Sequence, residues 1–143
     1  MSRRIQAWVV AIILFHTAID VLHGGAHVGE HVLSFTLAQI LFITIVIFIA
    51  PLMALFLLGR RRLAWGGWWF FLSMLGSLLF GVWSHFVMPG ADNIASLSSG
   101  VWKVPFQLTS ILLTIIDAVG TIVGALFLCL VLRWPKERAK AAL

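Results

Sequence analysis

Residues 16 to 31 read HTAIDVLHGGAHVGEH, placing His16, Asp20, His23, His27, Glu30 and His31 within sixteen positions. At about 100° per residue, all six fall within an arc of about 100° on a helix. Imidazoles at i and i+4 on one helix face can reach the same ion, and a ligand from another helix completes the shell. The one remaining histidine, His85, is the natural candidate for that role. His23, His27 and His85 are therefore the expected metal ligands, with His31 as a further one. Asp20 and Glu30 are the expected carboxylate partners that orient them. Imidazole ligands suit Zn, Cu, Fe and Ni. Met88, one turn beyond His85, is a candidate soft ligand, and it and Met74 would tilt the choice toward copper.

The same residues admit other chemistry. Two inward histidines on different helices could hold a b-type haem and support electron transfer. A chain from His31 through His27, His23, Asp20 and His16 to Asp117 has the residue types of a proton relay. That chain stops halfway, because the remaining half of every apolar segment lacks ionisable residues, so a through-going channel is not expected. Without any cofactor, the stripe would be the contact face of a structural accessory subunit in a larger membrane complex.

The chain that must position these groups has 143 residues, 62% hydrophobic and 10% charged, with a mean hydropathy of +1.07. Soluble domains are about half apolar and about a quarter charged. So short a chain cannot hide this much apolar surface from water. The expected class is an all-α integral membrane protein, a four-helix up-down transmembrane bundle forming a single membrane domain, alone or in a homo-oligomer. A hydrocarbon core of about 30 Å needs roughly 20 apolar residues per helix. The spans fall at about 5–24, 35–58, 65–88 and 106–132, with Pro51 as a kink site in the second.

Arg3 and Arg4, the Arg60-Arg61-Arg62 run, and Arg133, Lys136, Arg138 and Lys140 all fall on one side of such a bundle; only Lys103 falls on the other. The positive-inside rule then makes both termini cytoplasmic and the histidine stripe extracytoplasmic, in a cell or inner membrane. The pI near 10.8 reflects these topology clusters rather than a nucleic-acid partner, and the expected partner is the bilayer itself. His16 and Asp20 interrupt the first apolar run and no A-x-A-like site follows, so a cleaved signal peptide is not expected. The single cysteine, Cys129, rules out an intrachain disulfide and a C-x-x-C redox pair.

Counting depth along the spans brings His23, His27 and His85 to one level and sets Asp117 opposite His16 or Asp20, where His16 and Asp117 should pair. Ser110, Thr114, Asp117 and Thr121 form a polar stripe on the fourth span. Ser73, Ser77 and Gly81, and Gly120 and Gly124, have the small-residue spacing that lets helices approach closely. Gly24 and Gly25 leave open whether the first helix continues to His31 or ends early. Asp92, in PGADN, reads as a turn residue. No G-x-S-x-G, H-E-x-x-H or glycine-rich phosphate loop occurs, and the sequence leaves open whether the chain is an enzyme.

Overall fold

The computed structural model of the chain describes residues 3–97 and 99–141, with side chains described for 4–97 and 99–133. The side chains of Arg3, Lys136, Arg138 and Lys140, invoked above for topology, lie outside the described residues. The described residues contain helices and no strand. Four of the helices are long and apolar enough to cross a membrane. They are α1, Arg3–Gly29; α2, Leu37–Gly59; α3, Leu63–Val87; and α4, Lys103–Ala141.

The connections explain why helices this apolar stop where they do. At the end of α1, His31 adopts a left-handed backbone, φ 57°. Its N–H bonds to Val28 O at 3.2 Å and the Val32 N–H to His27 O at 3.0 Å. This is a Schellman cap with His31 at the left-handed position. Arg61, also at φ 57°, repeats the cap between α2 and α3: its N–H reaches Leu58 O at 3.0 Å, and the Arg62 N–H reaches Leu57 O at 2.9 Å. Thr36 starts α2 through a capping box with Gln39, satisfying amide groups that the first turn leaves free. Gly24 and Gly25 do not end α1, which runs on to Gly29.

The helices alternate in direction. One apolar cluster joins Val9, Ile12 and Ile13 near the start of α1 with Ala54 late in α2, Phe70 and Met74 early in α3, and Phe127 late in α4. At the opposite end a second cluster joins Ala26, Val32, Leu97 and Phe106. We call these the arginine end and the histidine end. α4 packs along α1 and α3, α3 packs on α2, and α1 meets α2 through the Ala50–Gly59 part of the latter. α1 and α3 are thus diagonal, and the half of α2 nearest the histidines stands off α1. Outward faces are largely apolar, with Leu14, Phe15, Leu22, Ile40, Phe56, Leu72, Leu79 and Leu126 exposed. A soluble monomer rarely presents so much contiguous apolar surface.

α2 is not a uniform helix: residues Ile43–Ile49 form a π-helical stretch, directly before Pro51. Proline has no N–H, so the carbonyls four and five residues earlier, Ile47 and Val46, lose their backbone donor. Other helices supply replacements. The Ser73 hydroxyl donates to Val46 O at 2.7 Å, and His16 Nε2 lies 3.4 Å from Ile47 O. The kink site expected at Pro51 is therefore a widened turn, tied to α3 and α1 by polar side chains.

Close approach of α4 to α3 rests on small residues. A Cβ on Gly120 would lie 2.7 Å from Met74 Sδ and 3.2 Å from Ile12 Cγ2, and Met74 is fully buried. Gly25 is different, because a Cβ there meets nothing within 4 Å. Gly120→Leu should destabilise the protein by about 1–3 kcal/mol through overpacking. Gly25→Ala should stabilise it by about 0.5–1 kcal/mol through reduced backbone entropy loss. Thermal unfolding in detergent micelles, followed by circular dichroism, checks both; equal melting temperatures for the two variants would contradict this packing.

Candidate metal centre

Three imidazoles meet at the histidine end. His23 Nε2 lies 3.1 Å from His85 Nε2 and 3.1 Å from His27 Nε2. All three residues are buried, and ligand atoms of the three lie within 4.8 Å of one another. α1 supplies two of them four residues apart. α3 supplies the third from its last turn, Trp83–Val87, which is π-helical.

The other ring nitrogen of each histidine is held by an oxygen. His27 Nδ1 donates to Val32 O at 3.0 Å, and His85 Nδ1 donates to Asp92 O at 3.0 Å. A carbonyl can only accept, so both nitrogens carry the proton. His23 Nδ1 faces Thr109 Oγ1 at 2.9 Å. That hydroxyl spends its own proton on Pro105 O at 2.8 Å, so it too accepts from the histidine. Each of the three rings is therefore protonated at Nδ1 and, in its neutral form, offers its Nε2 lone pair toward the others. Metal-ligating histidines show this arrangement, with the far nitrogen donating to a carbonyl, carboxylate or similar acceptor.

The backbone that holds the cluster is itself tied down. Val32 closes the cap of α1 with its N–H and accepts from His27 with its C=O. The loop after α3 returns to the cluster, where the Ile94 N–H bonds to His85 O at 3.0 Å. The Asn93 amide donates to Met88 O at 3.1 Å, and Gln107 of α4 donates to Ile94 O at 2.9 Å. Phe106, fully buried, backs the group, its ring centroid 5.0, 4.7 and 5.5 Å from those of His23, His27 and His85.

Toward the arginine end lies a second polar group. His16 Nδ1 is 2.8 Å from Asp117 Oδ1, and His16 Nε2 is 2.8 Å from Asp20 Oδ2. The Ser77 hydroxyl donates to Asp117 Oδ2 at 2.6 Å. An imidazole between two carboxylates satisfies both contacts best when both ring nitrogens carry protons. A cavity of about 250 Å³ runs beside both groups, touching His23, His27, His85 and Asp92 at one end and Asp20, Asp117, Ser110 and Thr114 at the other. Ser77 also lines it, and the remaining walls are apolar, among them Phe35, Ile43 and Phe80.

Not every expected residue joins the centre. His31 caps α1 and is exposed, held away from the cluster by its left-handed backbone. The Glu30 carboxylate lies beside Gly100, and Asp20 turns to His16 rather than to the ligand histidines. Met88 is 50% exposed and does not line the cavity. Met74 packs in the apolar cluster of the arginine end, so neither of these two thioethers joins the three histidines. Asp92, read from the sequence as a turn residue, does reach them. Its Oδ1 is 3.5 Å from His27 Nε2 and 3.4 Å from His85 Nδ1. The signal was present in the sequence as the sole acidic residue between His85 and the fourth span.

Removing one partner of a buried ion pair costs about 3–5 kcal/mol. Asp117→Ala strands both His16 Nδ1 and the Ser77 hydroxyl, so it should lower stability by about that much. Asp117→Asn, which keeps an acceptor oxygen, should lose less. Differential scanning fluorimetry of the purified variants reads the difference, and an Asp117→Ala protein as stable as the parent would refute the pairing.

No family model matches the chain, and no curated protein or solved structure matches it, so the chemistry of the centre is read from its own geometry.

Proposed function

We propose that the chain is a multi-pass membrane protein that binds one transition-metal ion through Nε2 of His23, His27 and His85, zinc or copper being the favoured ions. One observation carries this reading: three Nε2 lone pairs face one another while each Nδ1 is fixed by an oxygen. Neutral imidazoles with Nε2 atoms 3.1 Å apart repel unless a proton or a metal cation lies between them. Nitrogens bound to one ion at about 2.0–2.1 Å with tetrahedral angles are about 3.3 Å apart. The two separations from His23 are close to that value, and the three ligand atoms lie within 4.8 Å of one another.

The geometry speaks against a bis-histidine haem. A porphyrin would have to pass between His23 Nε2 and His85 Nε2, which lie within contact distance, and a third imidazole closes the same space. By the positive-inside rule, the arginine end faces the cytoplasm and the metal centre the opposite side. The role that fits a small bundle of this kind is metal holding, or a redox accessory function beside other membrane subunits.

Elemental analysis of protein purified from metal-supplemented cells should give about one metal per chain. His23→Ala and His85→Ala should each lower that content sharply, while His31→Ala should leave it unchanged. Metal-free parent protein, or full loading of the His23→Ala variant, would end this reading.

Acid should release the ion. Only the neutral imidazole offers a lone pair, so protons compete with metal and occupancy falls as pH falls. With free imidazole titrating near 6.5, loss should occur between about pH 6 and pH 4. Metal retained after dialysis at pH 4 would contradict ligation by histidine alone.

A further inference from the structure

Metal sites with three protein ligands and a water activate that water, whereas sites with four protein ligands hold the ion and leave it inert. The choice between these classes turns on what stands beside the three histidines. Among the described residues, one carboxylate does. Asp92 Oδ1 is buried and makes no hydrogen bond, and it lies 3.5 Å from His27 Nε2 and 3.4 Å from His85 Nδ1. A nitrogen and an oxygen bound to one tetrahedral ion are separated by about 3.3 Å. The main chain of Asp92 is already committed to the centre, since its carbonyl accepts from His85 Nδ1. The adjacent Asn93 pins the loop to Met88 O and to the Ala95 N–H.

The other acidic groups are occupied elsewhere. Asp20 and Asp117 flank His16, and Glu30 lies against Gly100. The two thioethers that would favour a soft monovalent ion stand off the site. What remains is three imidazoles and one carboxylate, a borderline-hard donor set suited to a tetrahedral divalent ion rather than to copper(I).

We propose that Asp92 is the fourth ligand, making the centre a closed His3Asp site for a divalent ion of the Zn2+ class. This rests on the three-histidine reading and sharpens it: the site holds its ion rather than activating water on it. Asp92 sits on the loop between α3 and α4, so that loop also closes the site from the histidine end.

Cobalt(II) in purified full-length protein reports the fourth position directly, because its visible absorption responds to ligand number and to exogenous anions. The parent should give a tetrahedral spectrum that azide leaves unchanged. Asp92→Ala should give a spectrum that azide shifts, and its Zn2+ affinity, measured by chelator competition, should fall about tenfold or more. Asp92→Asn keeps the size of the side chain and the carbonyl that His85 uses, and should also lose affinity while melting like the parent. A parent spectrum shifted by azide overturns the proposal, even if the variants fail to fold. So does unchanged Zn2+ affinity in Asp92→Ala. In both cases the three-histidine reading survives. A parent that binds neither Co2+ nor Zn2+ overturns both.

Discussion

An imidazole nitrogen without a proton is an acceptor, and three of them facing one another in a buried, apolar setting have nothing to accept from except a cation. Much of the histidine end follows from that constraint. The Nδ1 partners come from the cap of α1, from the second turn of α4 and from the loop after α3. These are three separate pieces of chain that converge on one point. Such convergence orders backbone and side chains alike, at an entropic cost that packing alone does not require. Phe106 and the apolar cluster around Ala26 and Leu97 exclude water from one side, which strengthens any electrostatic interaction made inside.

The same constraint explains the middle of the bundle. Ionisable groups at membrane depth are expensive and find partners. His16 finds two carboxylates, and Asp117 adds the Ser77 hydroxyl. The π-helical turn ahead of Pro51 releases carbonyls that His16 and Ser73 approach, so α1, α2 and α3 are joined at one level by polar contacts. Asp20 and Asp117 line the same cavity as the histidine centre. The half of α2 near the histidines, which packs least on α1, borders that cavity with Ile43.

Much of this was legible in the residues themselves. Hydropathy and length marked the four helices, and the fourfold spacing of His23 and His27 with the depth of His85 marked the cluster. The His16–Asp117 contact followed from depth alone. What could not be read was where the helix face ends. His31 shares the angular position of the ligand histidines, but its left-handed backbone takes it off the face, and periodicity carries no information about that cap; Glu30 lies by Gly100 instead. Loop geometry was equally hidden. Asp92 looked like any turn aspartate until the bonds of Asn93 and Ile94 folded its loop back onto His85. The two methionines misled for the opposite reason: helical spacing set them near the site, but packing against Gly120 took Met74 inward and Met88 ended half exposed.

The central claim is that one ion is shared by three imidazoles, and X-ray absorption at the metal edge of the loaded protein tests it most directly. The account predicts multiple scattering from three imidazole rings, with nitrogen at about 2.0–2.1 Å from the metal. A metal shell with no imidazole scattering, or with a single ring, would contradict it.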